Sequence, residues 1–339
     1  MKLGKRHQRS KLAWPVLTYA RSSLLAALFI LLAGCGAAGI SDSTTNASPS
    51  NGWASPLRAD HALVGRIWES ATQRFLSADE LIAQLGARPY VLLGEKHDNP
   101  DHHALQWQLV EAIKASGKTP GLVWEMLPTG IDPRLRSLAS RHFDDDEQLA
   151  DYLEWDKRGW NWDAHRELVW GSYELRLPML AGNISSADVS ALYAADAAGT
   201  SAALGPEARE RLLADIDSSH CGMLPQSQFS SMLRVQQGRD QSMAAALRKL
   251  SEIAEPAVLI AGNYHARQDL GVPNYLLAED TKLARVDIAT LAFVEVVSGE
   301  NRAQDYVERS DSIASADYLW FTPAISDKDY CAGLRGEAE

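Results

Sequence analysis

The chain has 339 residues with 33 basic and 44 acidic side chains, a formal net charge of −11. The first 35 residues hold six of the basic side chains and no acidic one, so the remainder carries 27 against 44. A balance this acidic argues against nucleic acid and anionic membrane surface as partners.

Lys2, Lys5, Arg6, Arg9, Lys11 and Arg21 precede an apolar stretch, Leu24 to Leu32, that is too short to span a bilayer as a stable helix. This is the pattern of an export signal. It ends in Leu32-Ala33-Gly34-Cys35, which resembles a bacterial lipobox with Cys35 as the lipidated residue. Residues 36 to about 56 are small and polar and read as a flexible tether, leaving 57–339 as one folded domain. Gly36, rather than an acidic residue after Cys35, favours the outer membrane by similarity to bacterial lipoproteins. The expected location is therefore an exported domain, lipid-anchored to the outer membrane and facing the periplasm. Outside the cytoplasm the two other cysteines, Cys221 and Cys331, are expected to pair as a disulfide rather than hold a metal.

Within the domain, Ser77-Ala-Asp-Glu80 is a capping box that opens a short helix, Glu80 to about Leu85. Asn99-Pro100 starts another, running to about Ser116 with Leu105, Leu109, Ala112 and Ile113 as its core stripe. Residues 128–176 look like an insertion rich in aromatics, and its acidic run, Asp144 to Glu147, reads as a solvated helix start. Residues 204–252 are helical in pattern, with a long helix from Gln226 to Leu250. Between these helices lie short apolar runs, 90–94, 121–124, 178–182 and 257–262, with further strands near 285–297 and 317–322. Short apolar runs alternating with helices predict an α/β fold, a parallel sheet flanked by helices with helical insertions.

Four of these strands end in a polar group: Glu95-Lys96-His97, Glu125, Asn183 and Asn263-Tyr264-His265. Ligands of open α/β sheets bind beyond the carboxyl ends of the strands, so these groups are expected to converge. Two elements of the form Gly-x-x-His, Gly94 to His97 and Gly262 to His265, stand out, with glycine expected for a sharp turn at the sheet edge. Two histidines and two carboxylates could bind a water-activating metal, as in a metal-dependent esterase or peptidase. They could instead place acid, base and hydrogen-bond groups around an organic ligand, or form a structural network. His103 is expected in a supporting or surface position, and His102 to matter less than His265. The run from Trp155 to His165 either covers the sheet edge as core or supplies flat walls for a planar ligand.

The motif from Leu92 to His103 resembles the ChaN family of haem-binding lipoproteins, part of a wider group with Tiki proteases, TraB proteins and erythromycin esterases. The resemblance continues through Glu125, Trp160-x-Trp162, His220 to Pro225, Ala261 to Arg267, Asp269 to Pro273 and Leu319 to Pro323, from about residue 64 to the end. It implies a parallel α/β sheet, a lipid anchor, and haem at the strand-end face, in at least one case between two subunits. A carrier working with a haem-uptake receptor system, rather than an enzyme, is the function it implies. Glu95, His97, Glu125 and His265 then belong to the haem site. The chain departs from the family pattern at His165, where a Tyr commonly stands, and at Tyr264, where a smaller residue often does. Tyr264, His165 and His220 are the candidate iron ligands.

Overall fold

The computed structural model describes residues 46–50, 52–195 and 203–332; the signal segment, Cys35 and most of the tether lie outside them. In chain order the strands are β1 Ile67–Glu69, β2 Arg74–Leu76, β3 Tyr90–Glu95, β4 Gly121–Pro128, β5 Met179–Asn183, β6 Ala257–Gly262, β7 Ile288–Glu295, β8 Arg309–Ser310, β9 Ile313–Ala314 and β10 Tyr318–Thr322. The helices are α1 Ala78–Gly86, α2 Pro100–Ala115, α3 Asp132–Ser137, α4 Asp146–Tyr152, α5 Trp162–Glu174, α6 Ser186–Ala194, α7 Pro206–Ser219, α8 Gln226–Leu250, α9 Asn263–Ala266 and α10 Val272–Glu279.

Eight strands form one sheet in the order β2-β1-β10-β7-β3-β6-β4-β5. From β10 to β5 every pairing is parallel. At the other edge β1 pairs antiparallel with both β10 and β2, so the sheet is mixed rather than purely parallel. The central strands β3 and β6 are buried along their whole length, as a strand covered on both faces must be.

Successive side chains of β3 serve opposite faces. Val91 and Leu93 pack with Leu105, Leu109 and Ile113 of α2 and with Trp124 of β4. Tyr90 and Leu92 pack with Met243, Ala244 and Leu247 of α8 and with Val272 and Leu276 of α10. This three-layer arrangement leaves only the strand ends free to carry polar groups. The α2 start is capped as its sequence implies: the Asn99 side chain accepts from the Asp101 N–H with Pro100 in the first turn. The acidic run is indeed a helix start, with Asp145 capping α4.

The chain joins the domain earlier than residue 57. Ala47 N–H donates to the Gly65 carbonyl, and the Ala54 and Ser55 N–H groups donate to Asp101. Ala47, Ala54 and Ser55, within the expected tether, are thus tied down. Cys221, just after α7, is disulfide-bonded to Cys331 near the end of the described chain, across 110 positions of sequence.

Candidate functional site

Strands β3, β6 and β4 are neighbours, and their carboxyl ends bring the site together. Glu95 ends β3 directly opposite Gly262, the last residue of β6. Glu125 follows Trp124, which pairs with Ile260. The three strand ends therefore present Glu95, Glu125 and the Gly262–His265 turn in one layer.

Both Gly-x-x-His glycines are explained by close approach, not by a sharp turn. A Cβ on Gly94 would lie 2.5 Å from Asn263 Oδ1 of the other element. A Cβ on Gly262 would lie 2.8 Å from Cε1 and Nε2 of His97. Each element is glycine where the other packs on it, and Gly262 itself has an ordinary φ of −61°.

Two ion-paired sets result. In the first, His97 Nδ1 donates to Glu95 Oε1 at 3.0 Å, leaving Nε2 at the cleft, and the ring meets Trp160 edge-on at 4.9 Å. Burial alone would push the Glu95 carboxyl up, but the imidazoles of His103, His165 and His97 hold it well below the carboxylate range. In the second, His265 is clamped between carboxylates, with Nδ1 2.6 Å from Asp240 of α8 and Nε2 3.3 Å from Glu125. Glu125 Oε2 also accepts from the Gly262 N–H at 2.7 Å. Burial opposes charge on both partners, yet Glu125 and Asp240 raise His265 to about 10. His265, His97 and the Gly262 N–H lower Glu125 to about 2.

Glu95, His97, Glu125, Gly262 and His265 line a cleft of about 520 Å³, within the roughly 300–1,000 Å³ range of ligand pockets. Trp160, Leu212, Ile216, Phe293 and Val294 supply apolar wall. Lys96 and Arg239 also line it, and Arg239 Nε is buried with no hydrogen-bond partner among the described residues. Tyr264 sits on the cleft with 47% of its surface exposed. Lys96 is already paired with Asp98 and Glu295, so Arg239 is the cation left to meet a carboxylate. A flat apolar ligand with a peripheral carboxylate fits this lining of aromatic wall, cation, and Tyr or His side chains able to reach a metal centre. A larger cavity, about 760 Å³, opens at the opposite sheet edge around Leu135, Trp170 and Met179. No buried imidazole–carboxylate pair lines it, so the chemistry points to the smaller cleft.

Of the candidate iron ligands only Tyr264 is on the cleft. His165 is fully buried behind Glu95, its Nδ1 donating to the Asn161 carbonyl and its Nε2 3.5 Å from Glu95 Oε1. His220 closes the C-terminus of α7, bonded to the Ile216 carbonyl, away from the cleft lining. His103 is buried rather than a surface residue, with Nδ1 3.0 Å from Glu95 Oε2. His102 is fully buried as well, accepting from the Lys96 N–H and donating to Thr322 Oγ1, so it braces the loop that carries His97. Burial lowers its pKa to about 3 and keeps it neutral. Asp240 and Arg239 were not anticipated. Asp240 falls on the stripe of α8 that also carries Leu233, Met243 and Leu247, and an acid on an apolar stripe was the available signal.

The model of the family described as haem-binding uptake, Tiki superfamily, ChaN matches residues 81–276. The chain belongs to this family. Among solved structures, the one on cofacial haem binding to ChaN of Campylobacter jejuni is similar in fold, with a TM-score of 0.61 at 22% identity over 75% of this chain and 95% of that one. An erythromycin esterase, EreC, matches with a TM-score of 0.43 at 11% identity, over 78% of this chain and 99% of that one. No curated protein matches the sequence. Membership of ChaN accords with the site's position at the strand ends of an α/β sheet.

Proposed function

We propose that this ChaN-family chain is a lipid-anchored haem-binding protein of the bacterial envelope that assists haem uptake, holding haem in the strand-end cleft. The observation that carries the reading is the meeting, on one cleft, of Trp160 and Phe293 walls with His97 and Tyr264. Bound haem would supply a Lewis-acidic iron open to an axial oxygen or nitrogen ligand. Tyr264 is the favoured donor, because it is half-exposed on the cleft while His165 and His220 are not available to it. His97 presents Nε2 nearby, oriented by Glu95. Arg239, whose buried Nε has no partner among the described residues, is placed to meet a carboxylate at the ligand's rim. The cleft is open on one side, so a second copy of the chain could cover the other face of a flat ligand, which supports a homodimer around haem.

A hydrolase reading of the same groups is weaker. His265 and Glu125 are paired with each other, which raises the imidazole to about 10 and lowers the carboxyl to about 2, so in that pairing neither is free to take a proton from water. Absorbance titration with hemin tests the proposal. Wild type should give a saturable Soret shift, Tyr264→Phe an altered ferric spectrum, and His97→Ala binding weaker by about tenfold, or ~1.4 kcal/mol. His220→Ala should match wild type. Identical titrations for the Tyr264 and His97 variants and wild type would remove the haem site from this cleft.

A further inference from the structure

Behind the cleft, Glu95, His103 and His165 converge at a point that none of the haem-facing groups uses. Their exposures are 2%, 3% and 0%, and one ligand atom from each lies within 4.8 Å of the others. Glu95 Oε2, His103 Nδ1 and His165 Nε2 are all buried, and among the described residues they face one another rather than any further donor, with His103 Nδ1 3.0 Å from Glu95 Oε2.

The backbone decides what these three atoms are. His103 Nε2 donates to the His97 carbonyl at 3.1 Å, and His165 Nδ1 donates to the Asn161 carbonyl at 2.8 Å. A carbonyl can only accept, so each ring carries its proton on the outer nitrogen. In the neutral form both inner nitrogens therefore point lone pairs at a carboxylate. Three buried acceptors facing one another repel unless a cation lies among them. The outer N–H on a backbone carbonyl is also the usual arrangement of metal-ligating histidine. Spacing is compatible: His103 Nδ1 lies 3.0 Å from Glu95 Oε2, near the edge of about 3.3 Å expected for a tetrahedron of ~2.0–2.1 Å bonds, and one ligand atom of His165 lies within 4.8 Å of both.

We propose that Glu95, His103 and His165 form a buried binding site for one divalent first-row transition ion, of the class of Zn²⁺ or Fe²⁺. Two imidazoles and one carboxylate are a donor set for such ions and not for Ca²⁺ or Mg²⁺, which prefer all-oxygen shells. The ion would join β3, α2 and α5. It would also fix Glu95, whose other oxygen orients His97, so the ion would stiffen the cleft without lining it. Without the ion, a proton on His103 must offset the Glu95 charge, and binding would release that proton. The inference can be tested apart from the haem proposal, because of the three residues only Glu95 also lines the cleft.

The test uses the full chain, expressed with supplemented Zn²⁺ or Co²⁺ and purified without chelators. Elemental analysis should find one ion per chain, and the Co²⁺ form should show the visible d–d bands of a low-symmetry nitrogen–oxygen site. His103→Gln and His165→Gln should each lower Co²⁺ affinity by more than the roughly 10–100-fold typical of losing an outer-shell partner. His220→Gln should bind as wild type does. Only trace metal and no d–d bands in the wild type would overturn the proposal and leave a proton as the sole occupant. So would ion content that both substitutions leave unchanged in folded protein. Hemin titration of the same samples reports the cleft separately, so either claim can fail alone.

Discussion

At the scale of single residues, the site is governed by charges taken out of water in compensated sets. Glu95 and Glu125 are both almost wholly buried, a condition that carboxylates tolerate only when paired and hydrogen-bonded. Each is held by imidazoles, and Glu125 by a backbone N–H as well. Gly262 shows how tightly the sets are fitted. Gly262→Ala would bring a methyl group to 2.8 Å from the His97 ring, forcing the ring off Glu95. We expect a loss of about 1–3 kcal/mol, the usual cost of overpacking, measured by chemical denaturation, together with weaker hemin binding. A variant as stable as wild type that binds hemin equally would show that the two Gly-x-x-His elements are not in contact.

At the scale of elements, α8 contributes Asp240 from a helix whose other inward residues are apolar, and that carboxylate completes the clamp on His265. The pH dependence follows from the directions of the shifts. His265 is raised from 6.5 to about 10, so its contribution is full below pH 6.5 and disappears as pH rises through 10. Glu125 is lowered from 4.5 to about 2, so its contribution is full above pH 4.5 and disappears as pH falls toward 2. The Glu125–His265 pair is therefore complete between about pH 4.5 and 6.5, and burial raises the Asp240 carboxyl, so the Asp240 side of the clamp loses its charge first on acidification. Asp240→Asn should cost roughly 1–3 kcal/mol at pH 6 and start the alkaline decline at lower pH, because one of the charges that raises His265 is gone. Urea denaturation across pH 5–10 checks this, and a profile parallel to wild type would contradict it.

The same scale shows what was legible in the residues and what was not. The strands β3, β4, β5 and β6 were readable because both sheet faces are covered, which makes each a continuous apolar run. Their polar ends, Glu95, Glu125 and His265, followed with them. The edge strands β1 and β2 are three residues each, too short for any period to show. The iron-ligand candidates divided for a different reason. Tyr264 lies two residues past the end of β6, in the short α9, so the strand end fixes its place. His165 instead lies within the long α5 and His220 just past the end of α7, where the set of the helix against its neighbours decides which way a ring faces. Gly94 and Gly262 stand out in the sequence as the heads of two like elements, yet the reason for glycine there is tertiary: each lies against the opposite element rather than in a bend.

For the molecule as a whole, the proposed function joins an acidic domain with a strand-end cleft to an anchor expected at Cys35. Cys35→Ala should release the protein from the membrane fraction while hemin binding is retained, because the cleft lies within the folded domain. Persistence in membranes after a high-salt wash would refute the anchor. The central claim is that haem occupies the cleft at the ends of β3, β6 and β4. A crystal structure of the chain with bound hemin tests it most directly, since two cavities compete for the ligand. The account predicts the porphyrin between Trp160 and Phe293 with Tyr264 or His97 on the iron; a porphyrin lodged instead in the larger cavity beside Leu135, Trp170 and Met179 would contradict it.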